Sequence, residues 1–151
     1  MAERRSAYAA SPGKADAGKL VFAKHCAACH RIGGEGALIG PQLDGIRQRG
    51  LDRLCEDILD PNRNVDRAFR STLLVLKDGE VTSGLFRREE GELVVLAEST
   101  GKEITVARND IAERRESEVS LMPENFGELM TAAEFADLMA FLLANRASAA
   151  R

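Results

Sequence analysis

The sequence predicts a mainly α domain interrupted by an inserted small antiparallel β-sheet or partial barrel. Two observations carry this reading. Apolar residues recur at helical spacing near both ends of the chain, and strand-like text punctuated by turn signals fills the middle. The 151 residues suit one ordinary domain, or a small domain with a substantial insertion. Hydrophobic residues at 44% and charged residues at 30% fit a globular chain rather than a disordered one. Aromatic residues reach only 5%, with no Trp and one Tyr, which is thin for a packed core and implies that something else fills part of the interior. The net charge of -3 excludes a strongly basic nucleic-acid binder on bulk electrostatics. No run approaches the roughly 18 apolar residues of a membrane span. The first ten residues are basic but lack an apolar h-region, so they are not an intact signal peptide.

Taken in order, residues 1–17 read as a flexible tail or linker, with Ser11-Pro12-Gly13 as a loop signal. A short helical pattern follows from Gly18 through Phe22. Glycine-rich text then runs over 33–36 and 40–45. Leu51, Leu54, Cys55, Ile58 and Leu59 repeat at i, i+3, i+4, i+7 and i+8, and this helix stops before Pro61. Strands are expected at 70–77, 80–86, 92–97 and 102–107, with room for a short fifth at 111–114. Asp78-Gly79 supplies a hairpin turn and Gly84 a bulge or bend. Near the end, Thr131 and Glu134 form a capping box ahead of Phe135, Leu138, Met139, Leu142 and Leu143. The expected organisation is a core from 18–68 and 117–147, a β module at 69–116 and a tail at 148–151.

Chemistry concentrates in one place. Four of the five Cys and His residues fall in six positions, His25-Cys26-Ala27-Ala28-Cys29-His30. Cys26, Cys29 and His30 form C-x-x-C-H. Two thiols one helical turn apart can each add to one vinyl group of a porphyrin, and the following histidine ligates the iron. A C-x-x-C pair also serves zinc sites and thioredoxin-like redox pairs. Zinc needs a second ligand pair, and the rest of the chain offers only Cys55 and His25. The βαβ context of a thioredoxin pair is not visible. With haem attached, the porphyrin supplies the interior bulk that the aromatics do not.

From Gly18 to Gly45 the order of helix, C-x-x-C-H, glycine-rich loop and G-P-x-L-x-G (residues 40–45) resembles a class I cytochrome c. The resemblance implies a mainly α cytochrome c fold, one covalently attached haem c with its iron, and Pro41 accepting the second ring N–H of His30. It also implies an axial methionine from a loop ahead of the last helix. Met122, in the S-L-M-P text at 120–123, has that position, with Met130 as runner-up; Met130 reads as a hydrophobic staple and Met139 as core. His30 and Met122 are then the iron ligands. In the same family the first and last helices cross at a small residue, so Gly18 and Phe22 should meet Leu138, Phe141 and Leu142. The further text I-L-D-P-N (58–62), K-D-G (77–79) and S-L-M-P resembles a bacterial haem-binding domain family found at the C-terminus of large secreted dehydrogenase-like proteins. That likeness implies a periplasmic or secreted electron carrier, not an enzyme, whose partner is a redox protein or a dehydrogenase domain.

The K-D-G strand text also has a weak likeness to Sm-like and SH3-like barrels. Residues 69–116 hold eight Lys+Arg against ten Asp+Glu, the wrong sign for phosphate, so nucleic acid is excluded. Residues 1–53 carry nine Lys+Arg against five Asp+Glu. Within them, Arg47 or Arg49 could meet a haem propionate; otherwise Lys24, Arg31, Arg47 and Arg49 form a basic rim for an acidic partner, or a plain solvated surface. Cys55 reads as a buried inert thiol, with an intermolecular disulfide as the alternative. The alternative function is a gas-sensing or structural haem module with the β insertion as its recognition surface. A peroxidase would need distal acid and base groups, and no spare distal histidine exists.

Overall fold

The computed structural model describes residues 2–145. Met1 and the expected tail at 148–151, with the end of the expected core at 146–147, lie outside the described residues. Contacts divide the chain into two units, one built from the chain up to Arg63 and from Glu124 onward, the other from Asn64–Pro123.

The first unit is helical. Helix α1 spans Ala2–Ala10, α2 Ala15–His25, α3 Gly50–Leu59, the single turn α4 Phe126–Leu129, and α5 Ala132–Ala144. The segment expected to be a tail therefore contains a helix. It buries no whole residue, so no apolar stripe betrays it in the sequence. Helix α3 buries Leu54, Cys55 and Ile58, one face of the repeat. Helix α5 starts at the Thr131–Glu134 capping box and buries Phe135, Ala136, Leu138, Met139 and Leu142. Helices α2 and α5 cross at Gly18, where an added Cβ would lie 1.9 Å from the Asp137 carbonyl oxygen and 2.7 Å from the Phe141 Cβ. One turn on, the Phe22 and Phe141 rings pack at a tilt of 49° with centroids 5.6 Å apart. At 1% exposure Cys55 is sealed inside this unit, which sets aside the intermolecular disulfide.

A two-residue hairpin, β1 (Arg31–Ile32) and β2 (Glu35–Gly36), follows α2. Its turn residues Gly33 and Gly34 have φ of 58° and 84°, the doubly left-handed geometry that favours glycine.

The second unit is a five-stranded antiparallel sheet. Strands β3 (Arg70–Leu76), β4 (Val81–Glu90), β5 (Leu93–Ala97) and β6 (Glu103–Ala107) form a meander, and β7 (Ile111–Ser120) returns to pair with β3. The spatial order is β6-β5-β4-β3-β7. Strand β4 gives its first half to β3 and its second half to β5. Gly84 sits at the changeover, where a Cβ would be 2.6 Å from the Ala97 carbonyl oxygen. The register shift lies between Phe86 and Arg88, beyond the glycine expected to bulge. Leu74, Val94 and Leu96 form the core of this unit, with Leu76, Phe86, Ile104, Val106 and Ile111 around them.

The sheet corrects the expected mainly α fold with a small β insertion. Helix makes up 40% and strand 28% of the described residues, so the chain is a mixed α and β protein. The sequence reading undercounted strand because β7 runs ten residues rather than four. Its text from Ala112 to Glu116 is entirely exposed and mostly charged, with no alternation to flag a strand. Ladder bonds to β3 hold it, and pairs such as Arg67–Glu116 and Arg115–Glu113 cover it. Charge on an edge strand also discourages pairing with other chains.

Candidate functional site

Helix α2 delivers the site. Its last turn runs on past His25, with the Cys26 and Ala27 N–H groups both donating to the Phe22 carbonyl at 2.8 and 3.0 Å. The next turn closes when the Cys29 and His30 N–H groups donate to the Cys26 carbonyl at 3.1 and 2.9 Å. Cys26, Cys29 and His30 are thus fixed by backbone bonds on consecutive turns. After the β1–β2 hairpin the chain returns alongside. Ala37 N–H donates to the Ala27 carbonyl at 2.9 Å, and the Ile39 and Gly40 N–H groups to the Cys29 carbonyl at 3.0 and 2.7 Å. A second brace holds the hairpin: the Asp44 carboxylate accepts from Gly33 N–H at 2.7 Å and from the Gln42 amide at 2.6 Å. These bonds, Gly33 first, hold the Asp44 pKa below its ordinary value.

This return places the His30 ring. Its Nδ1 lies 2.8 Å from the Pro41 carbonyl. A carbonyl only accepts, so Nδ1 carries the proton, and the lone pair of the neutral ring sits on Nε2. Gly40 leaves room for the ring against the backbone; a Cβ there would be 2.7 Å from His30 Cε1 and 3.2 Å from Nε2. Burial lowers the His30 pKa, with the Pro41 bond opposing only in part. Burial thus favours the neutral imidazole, the form that binds metal.

The thiols tell a complementary story. Burial, reinforced by Cys29, pushes Cys26 up to about 12, and burial also raises Cys29. A dithiol redox pair needs a depressed thiol pKa to supply thiolate at neutral pH. These cysteines are held as neutral thiols, which argues against a thioredoxin-like role. Among the described residues, no group of three or more His, Cys, Asp and Glu side chains is placed to hold a metal as a cluster, so a zinc site has no second ligand pair.

Residues 15–70 match the cytochrome c family model. That segment takes in α2, the C-x-x-C-H turn, the hairpin, Pro41 and α3. A cytochrome c domain implies haem c with its iron and an electron-transfer role, and its partner in general terms is another redox centre. The residues present fit that group: two neutral thiols on one turn, a neutral imidazole with Nε2 unencumbered, and a glycine cradle beneath its ring. No curated protein matches the chain. Among the described residues, no helix is long and apolar enough to cross a membrane.

The other candidates fall in different surroundings. Met122 is half-buried at the end of the sheet unit, with its N–H donating to Ser120 Oγ at 3.1 Å. Met130 and Met139 are buried in the helical unit at 2% and 0% exposure. Arg49 is engaged with Asp57 at 2.7 Å, whereas Arg47 is exposed and makes no ion pair with a described residue. Lys24 lies 3.9 Å from Glu134.

Sequence reasoning missed two features of the helical unit. His25 meets the Phe126 ring edge-on, with centroids 6.4 Å apart, and its Nε2 is buried without a hydrogen-bond partner. Arg4 reaches across from α1 to the carbonyls of Gly127 and Met130 at 2.5 and 2.9 Å. The text of residues 2–10 gives no hint of this second contact.

Proposed function

We propose that this chain is a monohaem c-type cytochrome that carries single electrons to or from a dehydrogenase or another redox protein, as a free carrier or as a domain of a larger oxidoreductase. The observation that carries the reading is the His30–Pro41 bond over Gly40. It fixes the imidazole tautomer and leaves the Nε2 lone pair for a metal, and the hydrogen bond raises the basicity of that nitrogen toward iron. Cys26 and Cys29 would hold the porphyrin as thioethers, each S–H adding across one vinyl group with no oxidant required. Haem c, when bound, supplies a one-electron iron couple. Met122 is the proposed sixth ligand; a thioether favours the reduced state and closes the coordination sphere, which suits a carrier rather than a catalyst. Arg47, which makes no ion pair among the described residues, is the better candidate of the two arginines for a haem carboxylate, and Arg49 belongs to the basic rim. Covalent haem attachment implies an extracytoplasmic, periplasmic or secreted setting. The S-L-M-P and I-L-D-P-N text supports membership of the haem-binding family associated with secreted dehydrogenase-like proteins.

A redox-dependent absorption spectrum with potentiometric titration tests haem, ligation and poise together. Haem that survives denaturing electrophoresis supports the thioethers. Met122→Ala should abolish the long-wavelength methionine-to-iron band of the ferric protein and open the reduced protein to carbon monoxide. A Met122→Ala protein that keeps the band refutes the sixth-ligand assignment.

A further inference from the structure

We infer that Asn145, at the far end of α5, is a positioning residue for His30: its side chain holds the loop that carries Pro41, and through Pro41 the orientation of the imidazole. This role presupposes that His30 ligates iron, the reading proposed above. The loop is a continuous run of bonded residues, all within the helical unit. The Ile39 and Gly40 N–H groups donate to the Cys29 carbonyl, the Pro41 carbonyl accepts from His30 Nδ1, and the Gln42 amide donates to Asp44. Leu43 N–H donates to the Arg31 carbonyl at 2.8 Å, and the Asp44 carboxylate accepts from Gly33 N–H. Each of these partners belongs to the C-x-x-C-H turn, the hairpin or the loop itself. At Gly45 the partner changes. Gly45 N–H donates to Asn145 Oδ1 at 2.9 Å, 100 positions away. That bond refers the loop to α5, the helix that α2 crosses at Gly18. The Pro41 carbonyl thus lies between an anchor on the Cys29 side and an anchor on the last helix.

The backbone of Asn145 shows what its side chain is for. Asparagine serves at helix ends because it tolerates a left-handed conformation. Asn145 has φ −68° and ψ 117°, an extended backbone open to any residue, so that tolerance is not used. Its own N–H closes the last turn on the Leu142 carbonyl at 3.3 Å, a bond that any residue except proline can make. What asparagine adds is the side-chain acceptor. The donor is constrained too. Gly45 has a φ of 75°, the left-handed region, where the loop enters the 3-10 turn Ile46–Arg49. Its N–H is partly buried, so removing the acceptor leaves a donor that water satisfies only in part.

The experiment uses the full haem-loaded chain with Asn145→Leu, which keeps the size and removes the acceptor, and Asn145→Asp, which keeps the acceptor. A carboxylate at a helix C-terminus is disfavoured by the backbone dipoles, so Asn145→Asp cannot restore anything by strengthening α5. Hydrogen exchange is read on the reduced protein, well below the melting temperature. Gly45 N–H and the His30 Nδ1 proton should exchange about tenfold faster in Asn145→Leu and return toward the parent in Asn145→Asp, while Gly18 N–H, bonded to the Lys14 carbonyl, is unchanged. The reduction potential of Asn145→Leu should shift upward, because a slacker Pro41 bond lowers the basicity of the imidazole and with it the stabilisation of the ferric state. Leucine and asparagine are both uncharged, so no added charge contributes to that shift. Faster exchange at Gly45 alone, with the His30 proton and the potential as in the parent, overturns the positioning role. Unaltered exchange at Gly45 overturns the bond itself. The parent run alongside separates the two layers. A parent that carries no haem through denaturing electrophoresis refutes the haem reading and takes the role of Asn145 with it. A haem-bearing parent matched by Asn145→Leu in exchange and potential sinks the role of Asn145 alone.

Discussion

Substituting Gly18 by alanine sets two effects of opposite sign against each other. By helix propensity alone, alanine within α2 stabilises by about 0.8–1 kcal/mol. The crossing with α5 argues the other way. The new Cβ would sit 1.9 Å from the Asp137 carbonyl oxygen and 2.6 Å from its carbon, against the 3.0 Å that real Cβ contacts respect. Both neighbours are backbone, so no side chain can swing away, and the helices must separate by about 1 Å. Overpacking of this kind costs about 1–3 kcal/mol. Separation also loosens the Phe22–Phe141 contact, worth roughly 0.5–1.5 kcal/mol beyond its buried area. Offsetting these by the propensity gain leaves a net loss of about 1–3 kcal/mol. For a chain of this size that lowers Tm by roughly 2–12 °C. Calorimetry of the haem-loaded protein reads it directly, with Lys19→Ala on the exposed face of α2 as a control expected to lie within about 0.5 kcal/mol of the parent. A Gly18→Ala protein that melts at or above the parent temperature would refute the crossing geometry, because then propensity has won.

Three further outcomes follow from the same geometry. Gly40→Ala should push a methyl group into the His30 ring, weakening the Pro41 bond; haem titration should show looser iron ligation and a shifted potential, and an unmoved potential would count against the cradle. Asp44, held below its ordinary pKa by Gly33 and Gln42, contributes stability that is complete above the unfolded carboxylate pKa and is lost as pH falls through the lower folded value. Asp44→Asn should therefore flatten the acid limb of Tm against pH, and an identical limb would dismiss the hairpin brace. Thr131→Ala removes the side chain that caps α5 and should cost about 1 kcal/mol by denaturant titration; a midpoint unchanged at constant slope would show the cap to be idle.

The C-x-x-C-H site was legible because its chemistry is local. Cys26, Cys29 and His30 lie within one turn of each other, the Thr131–Glu134 box caps its own helix, and the Leu54, Cys55 and Ile58 stripe states its periodicity outright. Helical and β text were both recognisable, yet their proportion was misjudged. Strand β7 is held by main-chain pairing with β3, and a strand that buries almost nothing writes no alternation into its sequence. Helix α1 escaped for a related reason: it is anchored by Arg4 on carbonyls 123 and 126 positions away, a contact with no local signature. The hairpin at Gly33–Gly34 read only as a glycine-rich loop, since two-residue strands offer too few side chains to show a period.

The helical unit is assembled from the two ends of the chain, and this has a consequence for the order of folding. Lys14 N–H bonds the Asp137 carboxylate 123 positions away, and Gly18 meets the same residue. Helix α2 and its partner α5 are separated in sequence by the whole of the sheet unit, so their contact closes a long loop. The sheet between them is continuous in sequence, with all its strand pairings internal. Its prior collapse shortens the loop that α2 and α5 must close, although halving a loop is worth only about 0.6 kcal/mol. The larger effect is on time: local pairing proceeds while the distant partner is still missing.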